Sequence, residues 1–316
     1  MQTLFLEKKD TELRVQRACL LIYHQGKKLS SRPLKDLRRV VVGPGVALSA
    51  GVLGVFGQWG IAMLVVNHRF PERTASVHVP LQGDTQRRIK QYACYQDEAF
   101  RLMQAKRLLF LKLTRQFQFL SRLKQQRPEH RRVLTKALSI IRAMLNKISA
   151  NQCSSLAVLR GAEGAAAAAY FEAFSILFPP ALGFQSRRRR PPPDPVNACL
   201  SLTYTLLLHE AVNALHSAGL DSSIGCLHDV CYQRDSLACD VLELLRPGAD
   251  AWVYGLFNCR TLRAEDFSWH DSACELHAAG KQRFYQAWHQ QVRVFRRLLR
   301  RYARIAAQEV EAYEPE

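Results

Sequence analysis

VVVGPGVALSAGVLGVFGQWGIAMLVV, Val40 to Val66, contains no charged side chain. Its length would suffice for a membrane span, which takes about 20 apolar residues. The internal punctuation argues for a buried soluble segment. Val40-Val41-Val42 is β-branched, Gly43-Pro44-Gly45 is a turn, and Gly57 and Gly60 flank Gln58-Trp59 before a second apolar run, Ile61 to Val66. The segment is predicted as strand, turn, short helix, glycine cap and strand.

Outward from this stretch the same character continues. Leu4 and Leu6 alternate, Leu20 to Tyr23 is a compact apolar strand, and Val77 and Val79 alternate before Pro80. Alternation with period two marks half-buried strands. Residues 1–85 are therefore predicted as a small β-rich domain, and Gly83-Asp84 opens a linker. From Gln86 the apolar spacing turns helical and stays so, predicting a larger all-α domain over 86–316. The fold class is α+β with two domains, as 316 residues allow.

The charge balance points to a partner. Lys and Arg number 45 against 27 Asp and Glu, a formal net charge of +18. Such an excess suits a polyanion, nucleic acid before an anionic membrane. The nine cysteines are scattered and form no CxxC pair. That argues against a structural zinc site and for reduced thiols in a cytoplasmic protein. The N-terminal MQTLFLEKKD lacks the basic start and cleavage site of a signal peptide.

Two helical stretches concentrate the positive charge. Lys106 to Lys147 holds twelve Lys and Arg and one acid, Glu129; Leu276 to Gln308 holds no acid at all. At about 100° per residue, Arg293, Arg296, Arg297, Arg300, Arg301 and Arg304 fall within an arc of roughly 140°. Phe295, Leu298, Leu299, Tyr302 and Ile305 take the opposite face. A solvated helix face normally interleaves both signs, so this stripe is read as a contact for DNA phosphates.

Three separated stretches carry residues suited to chemistry. Leu159-Arg160-Gly161-Ala162-Glu163-Gly164 and the alanines to Tyr170-Phe171 predict a small-residue helix that another helix can approach closely. A carboxylate such as Glu163 in those surroundings is poorly solvated unless it meets a cation. The run Arg187, Arg188, Arg189 and Arg190 before Pro191-Pro192-Pro193-Asp194-Pro195 predicts an extended basic loop, because prolines forbid helix. His209-Glu210 begins a zincin-like pattern, but Asn213 stands where the second histidine belongs. Finally, His228 precedes a helix capped by Asp235-Ser236, on which Asp240 and Glu243 share one face. Histidine with carboxylates is a ligand set for a divalent ion, though this spacing alone also occurs in helices that bind none.

Taken together these stretches resemble the CRISPR-associated integrase family that carries out spacer acquisition. LRGxEGxAAxxYF is matched at Leu159 to Phe171, and RPPxDPVNAxLSxxYxLL at Arg190 to Leu207. GLDPxIGxLH is matched at Gly219 to His228, and RxSLAxDLxExxRP at Arg234 to Pro247. Asn258-Cys259-Arg260 through Glu265-Asp266-Phe267 resembles the family's next element, so the likeness runs over nearly the whole chain. Ser222 replaces the usual proline, Gln233 a common glycine, and Cys231-Tyr232 is unlike the consensus.

The resemblance implies an enzyme of antiviral defence. It would be a metal-dependent DNA endonuclease and integrase that joins the 3′-OH of short duplex DNA into the repeat array. Carried over residue by residue, Glu163, His228 and Glu243 would ligate Mg²⁺ or Mn²⁺, and Asp240 would orient the site beside them. Arg187 to Arg190 with Arg293, Arg297, Arg300 and Arg304 would hold double-stranded DNA. The family also implies a homodimer formed through the β domain and a small ferredoxin-like partner protein. Two other readings fit parts of the sequence: a transposase using the same catalytic domain, and a non-catalytic DNA-binding protein that explains the charge but not the His and carboxylates.

Overall fold

The computed structural model describes residues 2–67, 73–77, 85–188, 191–270 and 273–314. The chain divides into two compact units, Met1–Leu81 and Gln82–Glu316. The first is strand-rich and the second helical.

In the first unit the strands β1 (Gln2–Leu6), β2 (Thr11–Gln16), β3 (Cys19–His24), β4 (Lys27–Pro33), β5 (Leu37–Val42) and β6 (Val46–Leu48) precede helix α1 (Ala50–Gln58). Strands β7 (Ala62–Val65) and β8 (Ala75–Val77) follow it. One sheet has the order β1-β5-β7-β8 and the other β4-β3-β2-β6. The uncharged stretch supplies the unit's centre. β5 pairs in parallel with both β1 and β7, and α1 makes the crossover between β5 and β7. A parallel strand with neighbours on both sides is covered on both faces, and Val40, Val41 and Val42 are all buried. Val52 and Phe56 of α1 join Val40 and Val42 in one core with Leu13, Leu20, Ile22 and Ile61. Gly60 ends the helix at φ +63°, where any side chain would be strained, and Ile61 N donates to Phe56 O at 2.8 Å. Among the described residues no helix is long and apolar enough to cross a membrane. Val79, Pro80, Gly83 and Asp84 lie outside the described residues.

The second unit contains α2 (Thr85–Gln96), α3 (Glu98–Gln126), α4 (Arg131–Ser149), α5 (Leu156–Ser175), α6 (Pro195–Ser217), α7 (Ser236–Glu243), α8 (Arg246–Asn258) and α9 (Ala278–Glu311). Side-chain caps begin four of them, α9 among them through His277 Nδ1, which accepts from Gly280 N at 3.3 Å. Asp97 accepts from Phe100 N at 2.9 Å, Ser155 from Val158 N at 3.3 Å, and Asp194 from Asn197 N at 2.8 Å. Helix α6 is the most enclosed, packing on α7, α8 and α9, while α3 packs on α4, α5, α7 and α8.

This unit is not purely helical, which corrects the all-α expectation. Strands β9 (Phe267–His270) and β10 (Ala273–Leu276) form an antiparallel hairpin. The hairpin docks on the proline loop. Prolines have no N–H, but their carbonyls still need donors. Cys274 N donates to Pro192 O at 2.8 Å, and Trp269 Nε1 to Pro193 O at 3.2 Å.

Candidate active site

Three helices converge on one ammonium group. Lys112 lies on the buried stripe of α3 with Leu109, Leu113 and Gln116. Its Nζ stands 2.5 Å from Glu163 Oε1 of α5 and 2.6 Å from Glu243 Oε2 of α7. The Lys112 and Glu243 side chains are only 5% and 7% exposed, whereas Glu163 keeps 31%. Arg246, one helical turn beyond Glu243, bonds its other oxygen through Nε at 2.7 Å. Burial pushes the Glu243 carboxyl up, but Arg246, Lys112 and His228 outweigh it and hold the group at about 2. Burial likewise disfavours the Lys112 ammonium, yet Glu243 and Glu163 more than offset this and its pKa is raised.

Asp240, three residues before Glu243 and buried, does a different job. Its Oδ2 accepts from Cys226 N at 2.6 Å and Leu227 N at 2.9 Å. Its Oδ1 accepts from His228 N at 3.0 Å and meets His228 Nδ1 at 2.6 Å. One carboxylate thus clasps three successive amides and the ring. A carboxylate only accepts, so Nδ1 carries a proton and Nε2 is the ring nitrogen left to face a ligand. The clasp explains Gly225. A Cβ there would lie 2.7 Å from the Ser236 carbonyl carbon and 2.9 Å from Asp240 Oδ2.

Other residues fix this loop against its neighbours. Arg160, one turn before Glu163 on α5, donates through Nε and Nη2 to Leu227 O at 3.0 and 2.7 Å. It also pairs with Asp229 at 2.8 Å, as Arg101 does at 2.7 Å. Hydrogen bonding from Arg160 leads the causes that hold the Asp229 carboxyl at about 2. Ser222, standing where a proline is usual, bonds Asp235 Oδ1 through Oγ at 2.6 Å and accepts from Leu237 N at 2.8 Å. Asp235 is therefore engaged by Ser222, and its side chain does not cap α7.

Behind Glu243 the contacts run on through Arg246, whose guanidinium lies 4.5 Å over the Tyr204 ring. Tyr204 OH donates to Asp250 Oδ1, and Tyr170 OH to Oδ2 at 3.0 Å. Burial raises Asp250 to about 6 despite those two hydrogen bonds and the nearby guanidinium of Arg246.

The arginines divide. Arg187 bonds Asn197 Oδ1 at 2.9 Å and Ser201 Oγ at 3.1 Å and lies 5.4 Å over Tyr204, so its guanidinium is engaged within the fold. Arg188 is exposed, and Arg189 and Arg190 lie outside the described residues. On α9, Arg293, Arg297, Arg300, Arg301 and Arg304 are exposed. Arg296 departs from the stripe. It forms a bidentate pair with buried Glu210 of α6 at 2.7 and 3.0 Å, and the abortive zincin pattern contains that pair's acid. Ile305, assigned to the apolar face, is 37% exposed.

Glu163 and Glu243 are thus brought together, and Asp240 holds His228. Among the described residues, no three of His, Cys, Asp and Glu form a ready-made metal-binding group. The cation between Glu163 and Glu243 is the one on Lys112. Two oxygen donors and an oriented imidazole fit Mg²⁺ or Mn²⁺ by type. Reading the sequence for ligand types missed Lys112, Arg160 and Arg246. The available signal was a lysine repeating at helical spacing with Leu109, Leu113 and Gln116.

A family profile described as CRISPR associated protein Cas1 matches residues 4–290. CRISPR-associated endonuclease Cas1 1 of Thermodesulfovibrio yellowstonii is 36% identical over 302 residues, 95% of this chain and 94% of its own length. A casposase bound to integration product has the same fold, with a TM-score of 0.86 at 20% identity over 100% of this chain and 92% of that one. A Cas6-RT-Cas1–Cas2 complex matches with a TM-score of 0.84 at 20% identity, over 98% of this chain and 35% of that chain.

Proposed function

The chain belongs to the Cas1 family of CRISPR-associated endonucleases, and on that premise we propose that it is a metal-dependent integrase of spacer acquisition. It joins the 3′-OH of short duplex DNA to a repeat array, and can hydrolyse DNA at the same site with water in place of the 3′-OH. The observation that carries this reading is the convergence of Glu163 and Glu243 on one cation, beside a histidine whose ring is held by Asp240.

Glu163, His228 and Glu243 would hold Mg²⁺ or Mn²⁺. When bound, such an ion offsets charge on the phosphate oxygens and lowers the pKa of the attacking hydroxyl. Asp240 keeps Nε2 of His228 turned outward, and Arg160 keeps α5 in register with the histidine loop. Arg246 and Lys112 keep Glu243 ionised at neutral pH despite its burial. The exposed Arg293, Arg297, Arg300 and Arg304, with Arg188, bind duplex backbones largely without reading sequence; Arg189 and Arg190 extend that set. The β-rich unit serves dimerisation and the partner is a small ferredoxin-like protein; the presence of Cas2 in the name of a structurally similar complex supports a protein partner.

A half-site integration assay tests the reading. Labelled duplex should become joined to a repeat-bearing target in Mg²⁺ or Mn²⁺ and stay unjoined in chelator. Equal joining in chelator would end the metal assignment.

A further inference from the structure

The site already contains a cation, one that no ligand motif accounts for. Lys112 comes from α3, outside the motifs that carry Glu163, His228 and Glu243, and its side chain is 5% exposed. A lysine is almost never so buried unless paired, and here its pairs are the two carboxylates that the proposed function makes metal ligands. We propose that the Lys112 ammonium is a resident counter-cation that holds Glu163 and Glu243 together, and that a divalent ion must displace it to bind between them. The inference rests on that metal reading and deepens it.

Electrostatics and geometry both support the exchange. Glu163 and Glu243 carry two negative charges, which Lys112 and Arg246 balance. A divalent ion added beside both cations would leave the cluster strongly positive. Carboxylate oxygens also have to approach an ion to about 2.0–2.6 Å, which puts the ion in the space taken by an ammonium 2.5 and 2.6 Å from one oxygen of each. Arg246 cannot be the one to yield, since its planar guanidinium is bonded to Glu243 and stacked on Tyr204. Lys112 can, because an ammonium on a four-carbon stem is a mobile point charge. An incoming phosphodiester would supply negative charge to offset the ion, so ion and DNA should bind together more tightly than either alone. Lys112 is in this account a positioning residue: it keeps the acids preassembled and sets how tightly the ion binds.

The test is calorimetric titration of Mn²⁺ into the full chain, into Lys112→Met and into Glu243→Gln. Removing the competing charge should tighten Mn²⁺ binding at least tenfold in Lys112→Met, while Glu243→Gln should abolish it. Unchanged or weaker binding in Lys112→Met, with loss in Glu243→Gln, overturns the inference and leaves the metal reading standing. Binding that is absent or identical in all three chains overturns both. If Lys112→Met does not fold, the unmodified chain still decides. With lysine labelled at ¹⁵Nζ, the Lys112 ammonium signal should be protected from exchange without added ion and lose that protection with saturating Mg²⁺. A signal unmoved by Mg²⁺ contradicts displacement.

Discussion

Around Lys112 each carboxylate is matched from another turn or helix: Glu163 by Lys112, Glu243 by Lys112 and Arg246, and Asp240 by the amides and ring of the His228 loop. Along α9 the exposed arginines Arg293, Arg297, Arg300 and Arg304 have no carboxylate within ion-pair distance among the described residues. The difference follows from burial. A charge out of water must be matched for the chain to fold, whereas an unmatched charge in water costs the fold little and stays available to a partner. Arg296 shows both rules within one helix, because it turns inward and there finds Glu210.

The sharpest way to break the comparison is to unmatch the buried cluster. Glu243→Ala leaves Lys112 and Arg246 without their shared acid, and should cost about 3–5 kcal/mol of stability together with all strand transfer. Thermal unfolding and the integration assay check this, and a stable variant would show that the cluster is not held by charge. Arg296→Ala should be nearly as costly, about 3 kcal/mol, since it strands Glu210, while Arg297→Ala should stay within about 0.5 kcal/mol. Equal melting temperatures for the two would erase the division of α9.

The exposed side predicts the reverse pattern. Arg297→Glu with Arg300→Glu should weaken DNA binding and flatten its salt dependence, by about one in the logarithmic slope for each phosphate that is no longer neutralised. The melting temperature should not move. Unchanged affinity across a salt titration would reduce the stripe to solvated surface.

A smaller effect belongs to Asp250. Its carboxyl is raised from 3.8 to about 6, so the folded chain holds a proton that the unfolded chain has released across that interval. The group's contribution to stability is therefore present at the acid end and lost as pH rises through about 6. Denaturant midpoints between pH 4 and 7 should show a slope that Asp250→Asn flattens; parallel curves would contradict the assignment.

How much of this was legible depended on the length of the signal. The strand-helix-strand core around β5 could be read because an uncharged run broken by Gly43, Pro44, Gly45 and Gly60 has few other soluble solutions. The β9–β10 hairpin could not, since four-residue strands show too little alternation and the hairpin is anchored to Pro192 and Pro193, which lie far earlier in the chain. Glu163, His228 and Glu243 are singled out as metal ligands by the family resemblance, their spacing alone being a pattern that many helices share. Lys112 is not, because a lysine amid Phe110, Leu111 and Leu113 looks like any solvated cation until three helices are assembled. Arg187 and Arg296 counted as surface charge for the same reason: only tertiary structure supplies Asn197, Ser201 and Glu210 as partners.

The central claim is that binding and chemistry reside in different charges, and Glu163 tests it most directly. Its side chain is partly exposed, it sits on a helix rich in alanine, and alanine there preserves the helix. Duplex affinity by mobility shift and half-site joining should be measured on one preparation of Glu163→Ala with Mn²⁺. The account predicts that joining disappears while affinity stays within about twofold of the parent, a change of roughly 0.4 kcal/mol. Joining near the parent rate, or loss of DNA binding along with it, would contradict the account.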